Sequence, residues 1–351
     1  MLELLGEANA ATLVGLVGGI VLGLAARIGR FCTLGAIEDL LYSSDDRRMR
    51  MWALAIGTAV IGTHLAMQFD ILNGADTAYL DRRWNPLATI LGGLMFGYGM
   101  AMSGNCGYGA LARLGGGDLR SFVIVLVMGL SAYVVMSGPL AHLRVWMFPV
   151  HTGATSPQGF SQLAESNWGI SPVVMGGIAG AMLLILALSS SRMLRSPSHI
   201  VWGIAVGLAI VSGWVGTAWI SSTGFASEPI ETHTFAAPLG DTIFYLMTAS
   251  GNTMSFSVGS VAGVLIGACL GSYSKGHFRW EACEDPRELR RQILGAALMG
   301  PGAILAVGCS VGQGLSAFSV LAYSAPLAFL AIFAGAAFGL RQLISGFAPA
   351  E

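Results

Sequence analysis

Predominantly uncharged hydrophobic stretches alternate along this chain with short polar segments, and the length of the stretches decides which element they form. Nine run over about 9–28, 50–68, 87–104, 119–137, 169–190, 199–220, 252–272, 287–306 and 325–344. Each approaches the roughly twenty residues with which an α-helix, rising about 1.5 Å per residue, crosses the hydrocarbon core of a bilayer. The pattern therefore predicts an all-α polytopic membrane protein of about nine transmembrane helices. Gly15, Gly19 and Gly23 recur every fourth residue of the first stretch, a spacing that lets a second helix approach closely.

The polar segments orient these helices. Of the 18 Lys and Arg residues, all but Arg82, Arg83 and Arg144 fall on one side when the stretches are threaded back and forth. Positive charge collects on the cytoplasmic side, so the amino terminus is expected outside and the carboxyl terminus inside.

A weaker pattern divides the chain. Ile90-Leu91-Gly92, Gly97, Gly99, Cys106 and Gly109 match Ile293-Leu294-Gly295, Gly300, Gly302, Cys309 and Gly312 at a spacing of 203 residues. Nine spans split as four, one and four, and the odd linker helix inverts the second set. The chain is then a single transmembrane domain over 1–351, with a first repeat at 9–137, an outer loop and linker helix at 138–198, and a second repeat at 199–344. Each half has two places where glycine or small polar residues break a span: 29–35 and 104–109, then 221–224 and 308–314. Irregular backbone at membrane depth is stable only inside protein or around a water-lined cavity. The four breaks are therefore expected to act as re-entrant segments that meet at one central constriction, an hourglass. A short re-entrant helix is also expected near Asp241 to Ser250.

Composition removes alternatives. Hydrophobic residues make up 54%, charged residues 11%, mean hydropathy is +0.68 and glycine occurs 49 times, which excludes a soluble α/β enzyme. The net charge of -1 gives no sign of a nucleic-acid partner and leaves the lipid bilayer as the main surroundings. Residues 1–10 hold two glutamates and no Lys or Arg, unlike a cleaved targeting signal. The five cysteines form no CxxC pair and no zinc spacing. No phosphate loop, serine elbow or dinucleotide fingerprint is present, so neither an enzyme nor a cofactor is implied.

The chemistry concentrates at the breaks. Cys106 and Cys309 sit at glycine-broken, repeat-equivalent positions, whereas Cys269 lies within a span and Cys283 in a charged loop, where cysteine is ordinary packing. Glycine N–H groups at a helix end make an anion nest, to which a neutral thiol adds a soft donor. Gly104, Asn105, Gly107, Gly308, Ser310 and Gln313 flank these thiols, and either Asn105 or Gln313 would complete the hydrogen bonding of a bound anion. Cys32 lies between Gly29 and Gly35 beside Arg27 and Arg30, and Ser222 or Thr223 holds the fourth break. Arg113 reads equally as a guide for an anion or as an ordinary positive-inside arginine. His64 reads as a packed core residue, and Trp52 among several tryptophans as an interface anchor.

Three motifs in order, Gly-Arg-Phe-Cys at 29–32, Gly-Asn-Cys-Gly-Tyr-Gly at 104–109 and Gly-Cys-Ser-Val-Gly-Gln-Gly at 308–314, resemble the YeeE/YedE family of inner-membrane thiosulfate transporters. The resemblance implies nine helices in two inverted halves within a bacterial inner membrane. It implies Cys309 at the outer entrance, Cys106 in the middle and Cys32 toward the cytoplasm, with thiosulfate passed along them through S–H hydrogen bonds. It also implies a small cytoplasmic sulfur-carrier partner of the TusA/YeeD type, docking on the arginine-rich inner loops. Two other readings stand beside it: a carrier of another sulfur or selenium anion, and a membrane thiol redox enzyme, which needs two cysteines with Cα atoms within about 7 Å.

Overall fold

The computed structural model describes residues 6–149, 158–225, 229–282 and 285–346. Their regular structure is helical, with no β-strand among the described residues. The first half runs through α1 (Glu7–Arg27), α2 (Thr33–Tyr42), α3 (Arg47–Gln68), α4 (Pro86–Ser103), α5 (Gly107–Gly115) and α6 (Leu119–Met136). After α7 (Pro172–Leu188) come α8 (Pro197–Thr223), α9 (Ala237–Thr248), α10 (Phe256–Ser274), α11 (Pro286–Leu305), the π-helix α12 (Gly312–Ala317) and α13 (Ser324–Ile344). Both halves thus follow one order of long, short, long, long, short and long helices.

Helices occur at all nine hydrophobic stretches. Seven are long and apolar enough to cross a membrane, with α4 and α5 together forming one of them over Pro86–Gly115. The other two differ for physical reasons. α7 has only 17 residues, and α11 opens on Arg287, Glu288, Arg290 and Arg291, which lowers its hydropathy. Helix starts follow local chemistry. Proline occupies the first turn of α4, α7, α8, α9 and α11, where its missing N–H costs nothing. Asn85 caps α4 by accepting from the Ala88 N–H at 3.2 Å, and Asp285 caps α11 by accepting from the Arg287 N–H at 2.8 Å.

The halves interlock with roles exchanged. α1 packs on α10 as α8 packs on α3, α4 packs on α13 as α11 packs on α6, and α1 meets α8 as α4 meets α11. Small residues make these crossings possible. Gly15, Gly19 and Gly23 face backbone carbonyls of Phe256, Ser260 and Val264, while Gly259, Gly263 and Gly267 face those of Thr12, Leu16 and Ile20. Without a hydrophobic drive between helices in lipid, such backbone approach supplies the dispersion contacts that hold them together.

The expectations for the fourth break, for the short helix near Asp241 and for Trp52 are revised. α8 stays helical through Thr223 and gives way at Gly224, so the break opens at the last residue of 221–224 and leaves Ser222 and Thr223 on the helix. The described residues 229–236 are non-helical as well, and α9 starts at Ala237, ahead of the expected Asp241, because Pro238 fits a first turn. The 138–168 connection is docked where it is described: Gln158 Oε1 accepts from the Trp84 N–H at 2.9 Å, and Phe160 donates its N–H to the Leu321 carbonyl at 2.9 Å. His151 and Cys283 lie outside the described residues. Trp52 is buried and stacks on Phe31 at 4.5 Å, so it is a core residue and not an interface anchor.

Candidate functional site

Four short helical segments start at the four breaks. Cys32 precedes α2, Cys106 precedes α5, Ala236 precedes α9, and Cys309 precedes the helical turn that leads into α12. The chain reaches three of these positions through positive-φ residues, with Arg30 at φ 56° ahead of Cys32. α4 ends on Gly104 at φ 75°, and α11 gives way to Val307 at φ 57° and Gly308 at φ 153°. Glycine at 104 and 308 is what this backbone requires, since a Cβ is disfavoured at such φ.

Each of the two buried thiols then caps a helix start. Cys106 Sγ accepts from the Gly109 N–H at 3.4 Å, and Cys309 Sγ accepts from the Gly312 N–H at 3.4 Å. Cys309 is held more tightly. The Phe235 N–H also donates to its sulfur at 3.3 Å, and the Thr234 hydroxyl lies 3.6 Å away. Around Cys106 stand the Ser310 hydroxyl and, farther off, the thiols of Cys32 and Cys309. Ser310 faces Cys106 without meeting hydrogen-bond geometry to any described atom. Asn105 Oδ1 and Thr33 Oγ1 are likewise buried without a partner. Buried polar atoms left this way beside the breaks mark where a ligand or water would complete them.

Two cavities flank this centre at opposite ends of α4. One, of about 440 Å³, is lined by Arg27, Arg30, Cys32, Arg48, Asn105 and Arg113 among others, with Glu38 as its one carboxylate. The other, of about 390 Å³, is lined by Tyr79, Arg82, Arg83, Arg144, Thr234 and Gly308 among others and by no carboxylate. Cys106 and Cys309 line neither; both are buried between them. Rings wall the centre, with Phe235 on Tyr108 at 5.3 Å, Tyr108 edge-on to Phe31 at 6.5 Å and Trp52 against Phe329 at 5.8 Å. The two vestibules therefore carry positive charge up to a closed, aromatic-walled middle.

The remaining sequence candidates separate by position. Arg113 lines the cavity that holds Cys32 and donates to the Gly104 carbonyl at 3.3 Å. Gly107 packs against Met128 and the Phe235 carbonyl, leaving no room for a side chain. Gln313 is spent on the fold: its amide donates to the Ala306 and Val307 carbonyls at 2.7 and 3.0 Å, and its Oε1 accepts from Ser324 at 3.1 Å. Ser222 is not brought to the centre. It lies exposed at the end of α8 with its hydroxyl on the Trp219 carbonyl at 3.0 Å.

Thr234, the Phe235 N–H and Tyr79 are the groups that the sequence reading missed. A signal existed for the first two, because Phe235-Ala236 repeats Phe31-Cys32 at a spacing of 204, close to that of the other motifs. Burial pushes the Tyr79 phenol above its usual range, so it remains a protonated donor. His64 is buried with Nδ1 on the Val60 carbonyl at 2.9 Å. The four described cysteines are free thiols, and no group of three or more His, Cys, Asp or Glu comes together among the described residues.

Known proteins share this arrangement of sequence. The family described as Sulphur transport matches residues 28–338. A thiosulfate transporter, TsuA, from Spirochaeta thermophila is 25% identical over 332 residues, covering 92% of this chain and 96% of the relative. TsuA of Escherichia coli K12, also described as a thiosulfate transporter, is 25% identical over 331 residues, 86% of each chain.

Proposed function

This chain belongs to the Sulphur transport family, the YeeE/YedE membrane transporters and not enzymes, and on that premise we propose that it carries thiosulfate inward across a bacterial inner membrane by handing the anion along thiols. The observation that carries the reading is the pair of glycine-broken helix starts, each capped by a buried cysteine between two arginine-lined vestibules.

The chemistry follows from where the N–H groups point. Backbone donors aimed at the lone pairs of Cys309 and Cys106 occupy the accepting side of each sulfur and leave the S–H proton free to face the path. A helix start adds partial positive charge at the same place. A thiol in this setting donates a weak hydrogen bond to a soft anion. Burying a dianion costs several kcal/mol even among donors, so a path of modest sites passes it where one tight site would hold it. The Ser310 hydroxyl beside Cys106, a donor without another partner among the described residues, supplies an intermediate polar station.

Two further parts of the reading rest on the fold. The exchanged packing of the halves supports two inverted repeats and nine spans, with α7 as the linker that reverses the second set. Fifteen of the 18 Lys and Arg residues fall on the side of the Cys32 vestibule, which supports a cytoplasmic position for it and hence an order of Cys309, Cys106 and Cys32 from outside to inside. The same arginines suit a small sulfur-carrier protein of the TusA/YeeD type as partner. Thr234 takes the place first given to Ser222, and Gln313 becomes a clamp of the break.

The test is growth of a bacterial strain that neither reduces sulfate nor imports thiosulfate otherwise, expressing this chain on thiosulfate as sole sulfur source. Growth with the wild-type chain and none with Cys106→Ala, both shown in the membrane, is the expected result. Growth at the wild-type rate with Cys106→Ala would end the relay. Wild-type cells that fail on thiosulfate yet grow on another sulfur anion would replace the substrate.

A further inference from the structure

The connection between α3 and α4 carries a protic group that the thiol relay leaves unused. Tyr79 stands in the four-residue helix Ala78–Asp81, its ring edge-on to Trp214 of α8 at 6.3 Å. Its hydroxyl makes no hydrogen bond among the described residues, and the residue lines the vestibule that holds Arg82 and Arg83.

Gly312 shows what that hydroxyl meets. A Cβ at this position would lie 2.5 Å from Thr234 Oγ1 and 3.2 Å from Tyr79 Oη. The Gly312 N–H is already on Cys309 Sγ at 3.4 Å, and Thr234 Oγ1 is 3.6 Å from the same sulfur. Three protic side chains, from the α3–α4 connection, the segment before α9 and the break after α11, thus converge over one bare Cα. Any side chain at 312 would fill the space they share.

We propose that Tyr79, Thr234 and Cys309 form a three-donor anion site at the mouth of the constriction, with Tyr79 reading the terminal oxygens of a tetrahedral sulfur oxyanion. This rests on the thiosulfate reading above. Thiosulfate has a hard end of three oxygens and a soft terminal sulfur. Phenol and alcohol O–H groups match the oxygens with short, charge-assisted hydrogen bonds, and the thiol matches the sulfur. The tripod therefore fixes which end leads, the soft sulfur toward Cys309 and the oxygens toward Tyr79, before the anion enters the thiol path. Arg82, within electrostatic reach of the phenol, draws the anion to that place.

The experiment is uptake of radiolabelled thiosulfate by liposomes containing the purified full chain, comparing wild type with Tyr79→Phe, Thr234→Val and Thr234→Ser. Tyr79→Phe keeps the ring against Trp214 and removes only the hydroxyl. It is expected to raise KM about tenfold with Vmax within about twofold, the signature of a lost hydrogen bond to an anion at the capture step. Thr234→Val should raise KM similarly, and Thr234→Ser, which keeps the hydroxyl, should stay within about twofold of wild type. Wild-type uptake with an unchanged KM in Tyr79→Phe, or a fall in Vmax alone, would overturn the tripod and leave the thiosulfate reading standing. No uptake by the wild-type chain would overturn both. If Tyr79→Phe does not elute as a monodisperse species, the Thr234 pair decides: equal KM values for valine and serine would overturn the proposal.

Discussion

The breaks at Cys106 and at Cys309 use the same device in unequal surroundings. In both, a positive-φ glycine lies between a helix end and a cysteine that caps the next helix start, and the N–H three residues on points at the sulfur at 3.4 Å. At Cys309 a second backbone donor and the Thr234 hydroxyl close on the sulfur, and the following chain winds into a π-helix held by Gln313. A six-residue π-helix strains the i→i−4 ladder and persists where tertiary contacts hold it. At Cys106 the sulfur has its one backbone donor, faces a Ser310 hydroxyl that is otherwise unpaired, and continues into an ordinary helix. Repeating a backbone device therefore does not repeat its surroundings. The fixed thiol suits a capture point with one donating direction, and the freer one suits a station that must exchange partners.

The largest expected effect separates the polar neighbours of the two thiols. Gln313→Ala removes a side chain that satisfies two carbonyls at the end of α11 and the Ser324 hydroxyl. Leaving those buried groups unpaired should cost about 2–4 kcal/mol, read as a clear drop in the midpoint of thermal unfolding in detergent. Asn105→Ala removes no hydrogen bond from Oδ1, so its stability loss should be about 1 kcal/mol or less, well below that of Gln313→Ala, while uptake falls. Equal unfolding midpoints for the two variants would break the distinction between clamp and lining.

Cysteine-to-serine exchange gives a smaller effect on the same contrast. The 3.3 Å approach of the Phe235 N–H is fitted to a large sulfur on a long C–S bond. Serine at 309 holds its oxygen back from that donor, so Cys309→Ser should lose about 1 kcal/mol of stability. Cys106→Ser, with a single backbone donor from the same turn, should stay within about 0.5 kcal/mol of wild type. Comparable losses at both positions would show that the extra donors at Cys309 contribute nothing.

How far the sequence led can be judged from particular elements. Long helices were legible because bilayer thickness dictates their length, and the Gly15, Gly19, Gly23 stripe because close packing in lipid needs small residues at that spacing. The glycine-cysteine breaks were legible from their repeat. The fourth break was not, since Ala236 replaces a cysteine there and leaves only Phe235 to mark it. Tyr79 was invisible for another reason: four helical residues inside a connection carry no periodicity, and only the tertiary fold brings them over Gly312. Gln313 was seen as polar and near the thiol, but whether a side-chain amide faces a ligand or its own backbone is decided by a backbone turn that composition does not encode.

The smallest effect lies at the two polar loops that lead into α3 and α11. Both place an aspartate two residues ahead of an arginine and accept that arginine's N–H, Asp45 from Arg47 at 3.1 Å and Asp285 from Arg287 at 2.8 Å. Asp45 adds an ion pair, with Arg47 Nη2 on its Oδ2 at 2.6 Å. The hydrogen bond from the Arg47 side chain is the main cause that holds the Asp45 carboxyl down at about 2. A depressed carboxyl pKa stabilises the fold above the unfolded value, near 4, and the contribution disappears as pH falls through the folded value. Because 42% of the Arg47 side chain and 26% of the Asp45 side chain remain exposed, solvent screening limits the pair to about 0.5 kcal/mol. Asp45→Asn should therefore lower the unfolding midpoint slightly at pH 7, and the difference from wild type should shrink between pH 4 and about 2. A difference that persisted unchanged at the acid end would mean that the loop is held by its shape and not by its charge.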